Sequence, residues 1–293
     1  MVTNIGDFYR ASIISKKSKS GAVGIITDHQ NGTYVAMFRL LWEGEVTIRI
    51  QLVLPRQTID VIERISRERP VDLIKFQKRY TVGQQKVDKP CNVDPVIFKN
   101  SAVCNYSDPH AGVWWYCEKP ANVPCNSSGY HALLRYEGDL LSTGEEKLFG
   151  RGSSALKMPI SGHPSKINVN KGGPNDVVGI TIWAHFTSYP VEVYRKRMEA
   201  VRAAIERLLH RSPETLVVIK SANTREGGVI IAGDWHAYRL DRVMREVFHG
   251  MKVVLVDAWE MTNAQHWHGD FIHPAEDIVV QELEFLCSFI CPL

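Results

Sequence analysis

The stretch from Lys252 to Pro274, KVVLVDAWEMTNAQHWHGDFIHP, holds the densest set of side chains that could move a proton or hold a metal. A short apolar run, Val253 to Val256, ends in Asp257, and His266, His268, Asp270 and His273 then fall within eight residues. An imidazole held by a carboxylate is the pairing that proton transfer needs, because the carboxylate fixes the tautomer while the other ring nitrogen takes the proton. Asp270 and His273 stand three apart, and Asp257 closes the apolar run. His266-x-His268-x-Asp270 also approaches a zinc-hydrolase pattern, since neutral imidazoles with a carboxylate suit zinc. Such a site needs further ligands downstream, and no histidine follows His273. No metal and no cofactor is expected.

A loop of this kind needs a scaffold, and residues 173–293 have the periodicity of one. Val177, Val178, Ile180 and Ile182 form an apolar run suited to a buried parallel strand. Pro190 opens a helix whose apolar positions Val191, Tyr194, Met198, Val201, Ile205 and Leu208 step by three and four. Thr215 to Ile219 reads as a second strand. Asp234 is placed to cap a helix carrying Leu240, Val243, Met244, Val247 and Phe248 and ended by Gly250. The strand Lys252 to Asp257 follows, and Val279, Leu283, Leu286 and Ile290 mark the apolar side of a last helix. Alternating strands and helices predict a parallel α/β sheet, whose chemistry belongs beyond the carboxyl ends of its strands.

Residues 1–172 read differently. Val46, Ile48, Ile50 and Leu52 alternate with Thr47, Arg49, Gln51 and Val53, which predicts a strand with its apolar face buried and the other largely wet. Asn31-Gly32 between Val23–Ile26 and Tyr34–Phe38 is a hairpin signal. Ile59, Ile62 and Ile65 predict a helix over Arg56 to Arg69, stopped by Pro70. A β-sandwich with one inserted helix is expected. Cys91, Cys104, Cys117 and Cys125 lie in a loop-rich segment without paired CxxC spacing, which favours disulfides in an oxidising compartment and leaves three pairings open. Trp114-Trp115-Tyr116 in that segment could stack on a sugar or pack against the disulfides. Cys287 and Cys291, four apart on the last helix, are poorly placed to bond each other, so either one is a buried thiol or one has lost a partner.

Sequons at Asn31, Asn105 and Asn126 point to the lumen or the cell exterior. The first seven residues lack the basic and apolar regions of a signal peptide, so the leader of a secreted chain would not be part of this sequence. No apolar run approaches the roughly 18 residues of a membrane span. A net charge of +3, from 35 basic and 32 acidic residues, gives no pull toward nucleic acid.

Two sets of motifs resemble the NXPE family, the neurexophilin and PC-esterase domain proteins. In the first half they are DHQNGTYVAMFRLLWEGEVTIRIQLVLP from Asp28, ERISRERP from Glu63, CNYSD from Cys104, WWYCEKP from Trp114 and KMPISGHPSKI from Lys157. This part is similar to the neurexophilin-type domain, and the resemblance implies an immunoglobulin-like β-sandwich with a cysteine-rich extension over residues 1–172. In the second half they are the run from His185 to Glu226, AYRLDRVMREVF from Ala237, VVLVDAWEMT from Val253 and IHP from Ile272. They resemble the PC-esterase domain, of the SGNH hydrolases and acyltransferases. The resemblance gives His273 the base role, leaves Asp270 or Asp257 to orient it, and makes His185 the oxyanion candidate. Here Trp183-Ala184-His185-Phe186 keeps only the last two residues of the family's Gly-Gln-His-Phe.

The SGNH nucleophile is the serine of Gly-Asp-Ser. In this chain Gly6-Asp7, Gly138-Asp139, Gly233-Asp234 and Gly269-Asp270 are followed by Phe8, Leu140, Trp235 and Phe271. In the family the motif lies with a strand and a helix between the regions matching Ile167 and Asp176, which only eight residues join here. The expectation is an α+β chain of two domains, the second a truncated SGNH-like α/β unit spanning 173–293 with a vestigial site. As a secreted or lumenal protein without its serine it would bind a cell-surface protein or glycan rather than act on one. The alternative is an O-acyltransferase or esterase working on glycan hydroxyls.

Overall fold

The computed structural model describes residues 6–109, 112–133, 140–149, 173, 176–225, 230–265 and 273–291. Strands β1 (Phe8–Ser15), β2 (Ser20–Asp28), β3 (Tyr34–Phe38) and β4 (Thr47–Leu54) form an antiparallel sheet in the order β3-β2-β1-β4. Helix α1 (Arg56–Glu68) follows, burying Ile59, Ile62 and Ile65 as their spacing requires. A five-stranded antiparallel sheet is built from β5 (Phe76–Val82), β6 (Gln85–Asn92), β7 (Val103–Asn105), β8 (Tyr116–Glu118) and β9 (Gly129–Leu133), in the order β7-β8-β6-β5-β9. After the short α2 (Glu146–Phe149) come β10 (Val177–Ile180), α3 (Val191–Arg211), β11 (Leu216–Lys220), α4 (Asp234–Phe248), β12 (Val254–Val256), α5 (Ala258–Ala264) and α6 (Glu276–Ile290). Strands β10, β11 and β12 are parallel and lie side by side in that order. The chain is thus α+β, antiparallel first and parallel last.

Asn31-Gly32 sits in the turn joining β2 to β3, where His29 N–H donates to Thr33 O and Gly32 takes φ +91°. The strand reading of Thr47 to Leu54 holds as well, but its buried side is the opposite of the expected one. Ile48, Ile50 and Leu52 are 61, 57 and 45% exposed. In register they pair with Ile13, Ala11 and Tyr9 of β1 on the face opposite Arg10, where Ile13 and Ala11 are themselves covered, at 2 and 1% exposure, and the β4 edge is not. The inward face carries Arg10, Ser12, Arg49 and Gln51. There the Arg10 guanidinium meets Asp234 of the second half at 3.3 Å, while Gln51 Oε1 accepts from Arg10 and Arg49. On the same face Gly21 lets α5 approach so closely that a Cβ would lie 2.8 Å from Ala264 O. Ion pairing and backbone approach decide the orientation of this sheet, and the apolar stripe of β4 faces solvent.

Strand register accompanies one of the three disulfide pairings. Cys91 and Cys117 are cross-strand partners between β6 and β8 and are bonded, and Cys104 is bonded to Cys125. The bridges join cysteines 26 and 21 residues apart, each contributing roughly 3 kcal/mol in the chain-entropy account. Of the aromatic triplet, Trp115 is 1% exposed and packs edge-on to Phe76, whereas Trp114 is largely exposed.

One core runs across both sides of residue 172. Its buried side chains extend from Phe76, Tyr80, Trp115 and Cys117 through Trp183, Phe186, Tyr189 and Tyr194 to Leu240 and Phe248. Trp115 stacks on Tyr189 with ring centroids 5.7 Å apart and planes at 24°. Helices α3 and α4 cover one side of the parallel sheet, where Val178, Ile180, Val217 and Ile219 point. On the other side β10 is open, with Val177 exposed and empty space around Gly179. A cleft of about 580 Å³ lies there, lined by Val177, Leu216, Val254, Phe289 and Ile290 among others.

Because the two halves share this core, both are expected to unfold in one transition. Trp115→Ala should lower stability by about 3–5 kcal/mol, the usual cost of emptying a buried aromatic site. Urea melts followed by far-ultraviolet circular dichroism and by tryptophan fluorescence would check this, since separate midpoints would mean independent halves.

Candidate functional site

The loops that follow β10, β11 and β12 leave the carboxyl ends of a parallel sheet, the place where such folds gather reactive groups. After β10 the chain makes a short 3₁₀ turn, Ala184–Phe186, closed by Thr187 Oγ1 donating to Ala184 O at 2.9 Å. This turn carries His185, which is partly buried. Its Nδ1 is shielded from solvent and has no hydrogen-bond partner among the described residues. Burial, and then the positive charge of Arg225, hold the imidazole below the ordinary histidine range, so it is neutral near pH 7.

The loop after β11 supplies that arginine. Arg225 is 3% exposed and lies against the Trp183 ring, 5.6 Å from its centroid. Its Nη1 donates to Thr187 Oγ1 at 3.3 Å, and its backbone N–H donates to Asp234 Oδ1. Asp234, which the sequence places as the cap of α4, is not the cap. Gly233 occupies that position, and the Asp234 carboxylate is taken by Arg225 on one side and Arg10 on the other. Spacing alone does not single out Arg10 or Arg225. Their one sequence-level signal is the place of Arg225, just beyond an apolar strand in a loop that a parallel sheet puts at its reactive end.

Ser188, next to the turn, and Ser221, at the start of the β11 loop, are both shut in, at 3% and 0% exposure. The Ser221 hydroxyl donates to Ala222 O at 3.1 Å and accepts from the Trp259 N–H at 3.0 Å. The bond from Trp259 joins the end of β11 to α5 and the bond to Ala222 is local, so both roles of that oxygen are used within the fold.

The loop after β12 begins at Asp257, which caps α5 by accepting from Glu260 N–H at 3.1 Å. Its two oxygens also take Arg245 Nη1 and Nη2 at 2.8 and 2.6 Å, and Arg245 Nε donates to Asp241 at 2.6 Å. Burial raises the Asp241 carboxyl above the usual range. Asp257 thus belongs to a carboxylate–guanidinium–carboxylate chain that ties α4 to the end of β12. His273 lies on the surface just before α6. Asp270, His266 and His268 lie outside the described residues.

Among the described residues, one group of three potential metal ligands stands together, namely Cys91, Cys117 and His131. Its sulfurs are joined in a disulfide, which leaves no thiolate for a cation. The sequon residues Asn31, Asn105 and Asn126 are all exposed. Asn31 and Asn105 each accept, through Oδ1, the backbone N–H of the residue two further on, at 3.0 and 2.9 Å.

The neutrality of His185 can be measured. Its NMR titration midpoint should lie below the ordinary value of about 6.5 and move upward in Arg225→Met, while staying below that value because burial remains. Since the folded state then binds fewer protons than the unfolded one, the contribution of this residue to stability is full above about pH 6.5 and shrinks as pH falls.

Comparison with known families assigns both halves. A model described as Neurexophilin matches residues 2–138, and one described as NXPE family member 4-like, C-terminal domain, matches residues 153–291. No solved structure matches the chain. The two matches follow one another in the order the motifs predict and span both the antiparallel and the parallel parts, and the chain belongs to the NXPE family.

Proposed function

We propose that this chain is a non-catalytic binding protein of the secretory lumen or the cell exterior. The observation that carries the reading is the state of the serines around the reactive end of the parallel sheet. Ser188 and Ser221 are buried, Ser221 is held at both its donor and acceptor sides, and the sequence contains no Gly-Asp-Ser. Acyl transfer through an enzyme-bound ester needs an approachable oxygen nucleophile beside its base. The family resemblance supports reading the β half as immunoglobulin-like and the α/β half as a shortened SGNH domain, with His273, Asp270 and His185 as remnants of its site. The two disulfides and the exposed sequon asparagines suit an oxidising compartment.

The outward face of the first sheet is the surface best suited to a partner. Ile48, Ile50 and Leu52 stand together on the edge strand β4, with Leu40 and Leu41 of the preceding loop also exposed. A contiguous apolar patch on a folded surface is where another protein docks. The occupant we assign to it is a cell-surface protein.

Labelled full-length chain should bind saturably to intact cells. Ile50→Glu with Leu52→Glu should weaken that binding about tenfold or more, the scale of losing an interface anchor. The melting temperature should not move, because both side chains are already exposed. Absence of saturable binding would count against the proposal. Hydrolysis of an acetyl ester by the purified chain, lost in His273→Ala, would replace it with the O-acyltransferase or esterase reading.

A further inference from the structure

The residue types of Trp114-Trp115-Tyr116 allow packing against the disulfides or stacking on a sugar, and strand alternation divides these roles among them. β7 and β8 pair antiparallel, with Cys104 opposite Cys117 and Asn105 opposite Tyr116. The pairing runs on past β7, where Tyr106 N–H donates to Trp115 O at 2.8 Å and Asp108 and Val113 exchange both backbone bonds. Side chains alternate across such a ladder. Cys104, Val113, Trp115 and Cys117 take the inner side, at 1, 6, 1 and 0% exposure. Asn105, Trp114 and Tyr116 take the other side, where Asn105 is exposed, Trp114 is 45% exposed and Tyr116 is half-buried.

Asn105 begins the sequon Asn105-Tyr106-Ser107 and, of the three sequon asparagines, is the one that lies in a strand. That strand is the edge of its sheet. On the flank toward β6, Tyr116 pairs with Asn92, which is 2% exposed and donates to Val71 O at 2.9 Å. Its other flank is the Asn105 side. Residues directly opposite across a ladder stand about 5 Å apart between Cβ atoms, and diagonal neighbours about 7 to 8 Å, within reach of large rings. Tyr116 is thus opposite Asn105, and Trp114 diagonal to it. Asn105 Oδ1 accepts the Ser107 N–H at 2.9 Å, which holds the side-chain amide and leaves Nδ2 as the atom of attachment.

We propose that Asn105 carries an N-linked glycan whose first N-acetylglucosamine packs on the Trp114 and Tyr116 rings. The host transferase supplies the sugar. Nδ2 bonds to the anomeric carbon of a lipid-pyrophosphate-linked oligosaccharide, the bond from that carbon to the pyrophosphate oxygen breaks, and the amide gives up one proton. The polarised C–H bonds on one face of a pyranose meet the electron-rich faces of the aromatic rings, while the hydroxyls stay in water. The exposed aromatics are then covered by a group borne on their own face of the sheet rather than by a separate ligand. The inference rests on the lumenal or extracellular reading of the chain.

The test uses the full chain, sent through the secretory pathway of cultured mammalian cells by an added leader, with peptide mass mapping and thermal melts. Asn105 should carry sugar. Asn105→Gln should lower the melting temperature by about 2 °C, and in a Trp114→Ala background the same substitution should cost less than half as much. The bond from Ser107 is lost alike in both backgrounds, so the difference between them reports the sugar. That difference should survive trimming to a single N-acetylglucosamine. A bare Asn105 on a chain with sugar at Asn31 or Asn126 would overturn the inference, as would an equal cost in both backgrounds or a difference that trimming abolishes. Bare asparagines at all three sequons would overturn the compartment reading along with it.

Discussion

The contact on which the structure depends is the stack of Trp115 on Tyr189. Trp115 immediately precedes β8, whose Cys117 is bridged to Cys91, so its ring is fixed from the β side by covalent bonds and strand pairing. Tyr189 lies in the loop that leaves β10, four residues beyond His185. Phe76 packs edge-on against both rings. Offset stacking and edge contacts of this kind add roughly 0.5–1.5 kcal/mol per pair to the burial of the rings themselves. The antiparallel half therefore helps to hold the loop that carries a candidate site of the parallel half.

A second, polar tie runs alongside. The Asp234 carboxylate takes the Arg10 guanidinium from β1 and the Arg225 backbone from the β11 loop. Placing a charged pair between two packed elements costs desolvation, and its chief effect is to make other arrangements worse. Here it decides which face of the first sheet is turned inward. The same arrangement leaves the apolar residues of the β4 edge in solvent, on the face opposite the ion pair.

What could be read beforehand was whatever depends on short-range periodicity. The steps of three and four from Val191 to Leu208 give α3, and the alternation from Val46 gives β4. Family motifs ordered both halves. What could not be read was the orientation that each element takes from its neighbours. Period two identifies β4 but not which side is covered, and Arg10 settles that from 41 residues away, across the sheet from Gln51. In α6 the spacing of apolar residues fits more than one stripe, and the Glu282–Lys220 contact selects the inner one. Asp257 looked like a partner for a histidine because a carboxylate at a strand end is where one is wanted. Its neighbour Arg245 is on α4, and local sequence gives no sign of their meeting.

Among the described residues, the reactive end of the parallel sheet holds no usable serine, and the non-catalytic reading rests on this. Treating the full chain with a fluorophosphonate and reading the intact mass tests it most directly, because such a reagent bonds to activated serine oxygens. The chain should stay unmodified at all times and concentrations that leave the fold intact. A single adduct mapped to a serine, and lost in His273→Ala, would contradict it.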